Sequence, residues 1–511
     1  MMRIPFGNLP SMSALFLDYV SDWTRVRTFY PHDYSLSSIL AFARNRPPLD
    51  PSHRAKLCSA LSEQQKDWGG DTASIEKLDA GAVAVIAGQQ PGLFTGPNYT
   101  ILKATTIVKL ARALDEAGVP AVPVFWITGE DHDHEEIEWA SVLDRDSRLE
   151  RIAVDLSTGE KTPSAWLKLR EDVGEAVSKC LSSLPDSEFK EEVGDVLRSA
   201  YRPGVSPVDA FARMMSKLFD GTGLILVNPL HAGLRSLAAP TLNQMVRQNP
   251  EIRSAVQAKS RALSQAGYHE QVKVDANFTG MFAYRGNSRE ALGPAEIESE
   301  LSLSPNVLFR PAVQDALFPT AAYVGGPAEI AYFAQAGAVY ETLRCPMPPV
   351  FPRISATILE ARVARALKKY ETEFPDAFRG REFVKRKAVA SVQGAELFDK
   401  VRDGLAAELE SLRPALNAVD PTLTGAFETS RQKVLHQLEA LRTKFVNAEA
   451  RRNETLERHL DAIANSLFPE KKLQERVLNV TSFLMRYGLN FIGQQEQLLS
   501  LDSREHQVIE I

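Results

Sequence analysis

Ala82–Ala104 reads AVAVIAGQQPGLFTGPNYTILKA, and its three parts decide the fold class. Ala82–Ile86 is an apolar, partly β-branched run of the kind that forms a buried strand. Gly88, Gly92 and Gly96, with Pro91 and Pro97, then make a loop. From Ile101 to Leu114 the apolar residues recur at helical spacing. A strand, a glycine-rich turn and a helix in succession are how α/β proteins aim backbone N–H groups at an anion. The three glycines are therefore expected at a cofactor, and Gln89, Gln90, Asn98, Tyr99 and Lys103 are expected to face a ligand. The loop lacks the Gly-Lys-Ser/Thr of a Walker A motif, and its glycines stand four apart, unlike the dinucleotide fingerprint.

The same rhythm continues downstream. Ala121–Thr128, Leu224–Asn228, Ala321–Val324 and Pro349–Ile354 are short apolar runs, each followed by Gly, Pro or a polar cluster. With helical stretches between them they predict βαβ units and a mainly parallel sheet. Arg151–Leu156, Ala165–Leu169 and Met281–Tyr284 read as antiparallel strands in insertions, at roughly 140–220 and 230–315. Residues 1–80 look helical and irregular, 81–355 carry the sheet, and 356–511 are helical almost throughout. In that last region Phe427, Val434, Leu441 and Ala448 recur every seven residues, with Leu438 and Phe445 between them. This heptad seam predicts either a long helix packed on its own domain or an antiparallel helical hairpin, a coiled coil used for dimerisation.

The second chemical constellation is Val122–Glu136, VPVFWITGEDHDHEE. Ligands of open α/β sheets bind at the carboxyl ends of the strands, so this tip is expected to share a crevice with Gln89 and Gln90. Asp131, His132 and Asp133 are the candidates for acid–base work, with Glu130 beside them for substrate binding. Asp and His also suit divalent metals, yet no clear third ligand stands elsewhere, and no metal ligand is assigned. Glu135, Glu136 and Glu138 read as acids dressing a helix N-terminus. Asn228 ends another strand, Gly325 and Gly326 allow close backbone approach to a ligand, and Arg353 could clamp a carboxylate. Met214–Lys217 superficially matches a synthetase lysine loop but lies in a helical stretch.

The 511 residues allow two or three domains, and 44% apolar with 24% charged content is that of a soluble globular protein. A net charge of -6 offers no basic footprint for nucleic acid. The N-terminus lacks signal-peptide pattern, and no run reaches the roughly 18 apolar residues of a membrane span. Three scattered cysteines without CxxC suit a reducing, cytoplasmic setting. Cys345 has only Arg344 beside it to lower its pKa, so it reads as inert.

Taken in order, GQQPGLFTGPNYTILKA, VPVFWITGEDHDHEEI, Tyr323–Pro327 and Pro348–Arg353 resemble the BshC family, the cysteine ligases of bacillithiol biosynthesis. The resemblance covers most of the chain. It implies a Rossmann-like core related to nucleotidyltransferases and class I synthetases, inserted connecting segments, and a C-terminal coiled coil forming a homodimer. It also implies that L-cysteine is joined through its carboxyl group to the amine of glucosaminyl malate, with ATP as driver and Mg²⁺ accompanying the nucleotide. Under that resemblance Lys103 or Arg353 would hold a carboxylate. Another ATP-dependent ligase or nucleotidyltransferase on the same core, and a coiled-coil scaffold with a degenerate α/β domain, are the alternatives.

Overall fold

Buried apolar strands seek helices on both faces, and in the computed structural model five of them do so as one parallel sheet. The structure describes residues 2–297, 302–390, 395–452 and 454–511. The sheet strands are β1 (Val83–Gln89), β2 (Ala121–Ile127) and β3 (Ile225–Val227). An inserted antiparallel sheet follows, made of β4 (Met281–Arg285), β5 (Ser288–Ala291) and β6 (Leu303–Pro305). The main sheet then resumes with β7 (Thr320–Gly325) and β8 (Val350–Pro352). Its spatial order is β3-β2-β1-β7-β8. Val83 pairs with Ala121 and Gln89 with Ile127, while Tyr323 pairs with Ile86 and with Val350. All five expected strands are present. The order doubles back between β1 and β7, the topological switch point where such sheets bind ligands.

Helix α1 (Tyr99–Glu116) follows the glycine loop, α2 (Arg310–Leu317) precedes β7, and α3 (Pro327–Leu343) follows it. Pro327 sits in the first turn of α3, where its missing N–H costs nothing. The full burial of Val85, Ile86, Val124, Phe125, Leu226 and Val324 anchors the sheet. Each such side chain contributes about 1.5–3 kcal/mol of hydrophobic stabilisation.

Three local expectations are corrected. Ala165–Leu169 forms turn and coil rather than strand. The strand expected over Arg151–Leu156 runs instead over Leu149–Ala153 and pairs with Trp139–Leu143. Glu135 and Glu136 belong to a single 3₁₀ turn, His134–Glu136, and Glu138 lies just beyond it, so no α-helix begins there. The physical reason is that Ser164 N donates to Asp131 O at 2.8 Å and Ala165 N to Gly129 O at 2.9 Å. Those bonds tie Ser164 and Ala165 to the β2 tip instead of a sheet, and after the 3₁₀ turn the chain passes at once into the strand Trp139–Leu143, which leaves no room for a helix.

The chain divides into two compact units. One comprises 1–144, 150–357 and 475–509; the other comprises 145–149, 358–474 and 510–511. Compactness thus returns the segment after residue 474 to the sheet-bearing unit. Within that unit the N-terminal strand Met2–Pro5 pairs antiparallel with the C-terminal strand, Met2 opposite Val508 and Pro5 opposite Glu505. The helical unit contains α4 (Ala361–Lys369), α5 (Arg381–Ala390), α6 (Ala395–Ser411), α7 (Leu423–Arg452) and α8 (Glu454–Leu467). Helix α7 lies against α6, and the Phe398 and Phe445 rings meet at 5.3 Å. The heptad seam is only partly covered: Phe427 is buried, but Val434 is 40% and Leu441 56% exposed.

Among the described residues no helix is long and apolar enough to cross a membrane. The three cysteines are unpaired. Burial raises the thiol pKa of Cys58 to about 11 and those of Cys180 and Cys345 to about 12, so none is an activated nucleophile.

Candidate functional site

A cleft of about 650 Å³ opens at the switch point. One wall starts from Lys103 in α1, 3% exposed. Its ammonium donates to Gly88 O at 2.8 Å and Gln89 Oε1 at 2.9 Å, and pairs with Glu329 Oε2 at 2.5 Å. An ammonium has three N–H groups, so all are used inside the protein. Burial lowers the Lys103 pKa, against the pull of Glu329. Burial pushes Glu329 up, but Lys103 and the Gly326 N–H outweigh it and leave its carboxyl below the usual range. The Gly326 N–H donates to Glu329 Oε2 at 2.7 Å, so the α3 N-terminus is capped by its own glutamate. Gln89, held by Lys103, donates to the Tyr99 hydroxyl at 3.3 Å. Burial, then Glu136, raises the Tyr99 phenol to about 12, keeping it protonated.

Arg353 closes this wall. Its guanidinium donates to Glu475 Oε1 at 2.5 Å and to Ile354 O at 2.9 Å, and lies 5.7 Å from the Tyr99 ring centroid. Glu475 also accepts from Ser355 Oγ and the Ala356 N–H. Behind it Ser355 and Thr357 bond the two ring nitrogens of His506. Burial holds the His506 pKa down at about 4, so the ring is neutral near pH 7. The carboxylate clamp expected of Arg353 is therefore occupied by a carboxylate of the protein itself.

The rest of the lining comes from the β2 tip, the inserted sheet and the first turn of α2. Gln90 Nε2 donates to Asp131 Oδ2 at 2.8 Å, joining the two sequence constellations directly. Asp131 Oδ1 lies 3.7 Å from Arg289, whose guanidinium sits 3.8 Å over the Phe282 ring and donates to Ser304 Oγ and Pro305 O. His132 Nδ1 lies 3.4 Å from Arg289. Burial and then Arg289 lower its pKa, so the imidazole is neutral near pH 7. Arg310 is 7% exposed, and its hydrogen-bond partners are neutral: the Tyr332 hydroxyl at 2.9 Å, the Tyr323 hydroxyl at 3.4 Å and Gln314. Glu130 is 5% exposed, and its Oε2 has no hydrogen-bond partner.

Of the residues singled out from sequence, Gly88, Gln89, Gln90, Tyr99, Lys103, Glu130, Asp131, His132, Gly326 and Arg353 line this one cleft. Asp133 is exposed and does not line it. Asn228 caps its own turn, its Oδ1 accepting from Leu230 N at 3.1 Å. Asn98 is fully buried behind the lining, its amide atoms without a protein partner. Gly325 ends β7, its carbonyl accepting from Arg353 N.

Gly92 and Gly96 do not reach the cleft, and the backbone anion cradle expected of the loop is absent. The N–H groups of Gly92, Gly96 and Asn98 are spent on Gln90 O, Leu93 O and Leu478 O. These two glycines instead let backbone meet backbone: a Cβ at Gly92 would lie 2.8 Å from Gly96 Cα. Phe94 and Thr95 between them hold positive φ of 51° and 77°. Tyr201 and Asn479 fix that unusual backbone, the first receiving the Thr95 N–H and the second donating to Phe94 O and Gly96 O.

Sequence reasoning missed Arg289, Arg310, Glu329 and Arg476, all in the lining. Glu329 alone had a local signal, the third helical position after a glycine cap. Arg289 sits on a hairpin of an insertion, and Arg476 arrives after the helical unit.

Comparison with known proteins covers nearly the whole chain. Residues 2–300 and 295–354 match the family described as "Bacillithiol biosynthesis BshC, N-terminal Rossmann-like domain", and residues 356–511 its C-terminal coiled-coil domain. Proteins named "Putative cysteine ligase BshC" are similar throughout. The one from Koribacter versatilis is 35% identical over 96% of this chain and 96% of its own length. That from Salinibacter ruber is 35% identical over 99% and 98%, and that from Geobacillus kaustophilus 32% identical over 97% of each.

Proposed function

This chain belongs to the BshC family of bacillithiol biosynthesis, and from that premise we propose that it joins the carboxyl group of L-cysteine to the amine of glucosaminyl malate, driven by ATP. The observation that carries the reading is the Gln90–Asp131 hydrogen bond, which brings the two motifs to one cleft at the switch point. The volume of about 650 Å³ suits a sugar–malate with a second small ligand beside it.

Amide formation from a free carboxylate is uphill in water, so cysteine must first be activated as an acyl-adenylate or acyl-phosphate. Within the lining, Arg310 is the buried guanidinium without a carboxylate partner, and Arg476 is exposed at the same cleft. These two, rather than Lys103 or Arg353, are the donors for a substrate carboxylate or a nucleotide phosphate. Mg²⁺ would come with the nucleotide, since among the described residues no three His, Cys, Asp or Glu side chains gather as a metal site. Gln90 and Tyr99 orient polar substrate groups. Asp131 and His132, held by Gln90 and Arg289, shape the pocket for the amine. The helical unit exposes Leu397, Val401, Val419 and Leu441, which supports self-association of two chains through these helices. Free cysteines and a cysteine substrate both suit the reducing cytoplasm.

The test is incubation of the pure protein with glucosaminyl malate, cysteine and ATP, followed by mass spectrometry. A cysteine-dependent conjugate with stoichiometric AMP or ADP is expected, and the nucleotide formed identifies the activated intermediate. Conjugation of serine or alanine at an equal rate would replace this reading with a different amide ligase.

A further inference from the structure

Glu130 differs from the other buried carboxylates around the cleft. Glu329 and Glu475 each hold an ion pair at 2.5 Å plus backbone or hydroxyl donors. Glu130 is 5% exposed, lines the cleft, and makes no ion pair or hydrogen bond among the described residues, with Oε2 unpartnered. A buried carboxyl without donors is costly to keep charged, and proteins keep such groups where chemistry uses them. The charged and titratable groups acting on it are Arg289, Arg310 and Arg235, which favour its anion, and Asp131, which opposes it. Tyr284 also feels its charge, and His132 stands two residues on. Burial is the largest influence and raises its pKa above the ordinary carboxylate range. That moves a carboxyl toward the range where a base works near neutrality.

We propose that Glu130 is the general base that deprotonates the attacking amine. The assignment rests on the ligase reading. The amine arrives as an ammonium, and Glu130 takes one proton, freeing the nitrogen lone pair. The N–C bond forms as the C–O bond to phosphate or adenylate breaks, and that electron pair leaves with the phosphate oxygen. The second N–H proton passes to the departing phosphate, and Glu130 releases its proton to solvent.

Glu130→Gln keeps the size and removes the base. Amide formation with glucosaminyl malate is expected to fall about 10²–10⁴-fold. The acid limb of kcat/KM is expected to move up toward the pKa of the free amine. Hydroxylamine, uncharged at neutral pH, needs no base, so its capture of activated cysteine as hydroxamate should fall less than about tenfold. Glu130→Asp, which retains a carboxylate, should recover part of the amide activity and keep the wild-type limb. That variant carries the test if circular dichroism shows the glutamine form unfolded. Wild-type amide activity with an unmoved limb in Glu130→Gln overturns the proposal. Equal loss of amide and hydroxamate overturns it too, because Glu130 would then serve activation or structure. Wild-type protein that makes neither product overturns the ligase reading and this assignment together, a result distinct from the other two.

Discussion

The two walls of the cleft treat charge in opposite ways. On the wall of α1, β7 and β8, every buried charge has a partner: Lys103 with Glu329, and Arg353 with Glu475. On the wall of the β2 tip, the inserted sheet and the first turn of α2, Arg310 meets only neutral partners, and Glu130 has an oxygen with none. Lys103 has no N–H left for a ligand, and the charge of Arg353 is already matched by Glu475, so the first wall is scaffold. The second wall retains capacity, and the substrate's charges and protons belong there. The lesson is that burial and charge alone do not mark a reactive residue; a charge or a polar atom left unmatched by the protein does.

The largest effect is expected where the saturated wall is broken. Arg353→Ala leaves Glu475 buried and unpaired, which should cost about 3–5 kcal/mol of stability. The check is the denaturant midpoint at constant m-value. A loss under about 1 kcal/mol, the level of an exposed pair, would erase the distinction between the walls.

Acid should attack the same wall. The ring of His506 has a folded pKa of about 4 against about 6.5 when unfolded, so the unfolded state takes up its proton first. Its contribution is intact above pH 6.5 and drains as pH falls toward 4. The difference amounts to on the order of 3 kcal/mol. Glu475, held below its usual pKa against burial by Arg353, loses its share at lower pH still. Thermal unfolding between pH 7 and 4 measures this, and His506→Gln should flatten the upper part of the curve.

The unsaturated wall should respond in function instead. Arg310→Gln is expected to raise the KM for glucosaminyl malate or for ATP about 10–100-fold, the worth of one or two charged hydrogen bonds. Stability should change little, because no buried carboxylate is orphaned. A large stability loss with unchanged KM values would reassign Arg310 to the scaffold.

The smallest effect concerns the glycine loop. Gly92→Ala places a Cβ 2.8 Å from Gly96 Cα and should destabilise by about 1–3 kcal/mol. Nucleotide KM should be unchanged in the folded fraction. A nucleotide-specific defect would restore the loop to the ligand.

Much of this was legible in the residues. The strand at Val83–Gln89 and the four other strands of its sheet announced themselves by short apolar runs ending in glycine or polar clusters. The meeting of Gln90 with Asp131 followed from both lying at strand carboxyl ends. The insertions were harder. Ala165–Leu169 has an apolar pattern yet spends its neighbours' hydrogen bonds on the β2 tip. Arg310 at the start of an ordinary-looking helix and Arg289 on a short hairpin carry no local signature, because what distinguishes them is who their neighbours are.

Apolar runs and turn chemistry act over a few residues, so the strands, the switch-point crevice and the residue types gathered there could be read from the chain alone. Whether a given Lys, Arg or Glu in that crevice is already engaged depends on groups up to more than a hundred positions away, as with Arg353 and Glu475. Hydrogen-bond saturation is a property of three-dimensional neighbours within about 3 Å. Those neighbours are brought together only by the folded chain, which pairs the expected ligand-binders Lys103 and Arg353 with carboxylates of the protein while leaving Glu130 with an unpartnered oxygen and Arg310 with neutral partners alone.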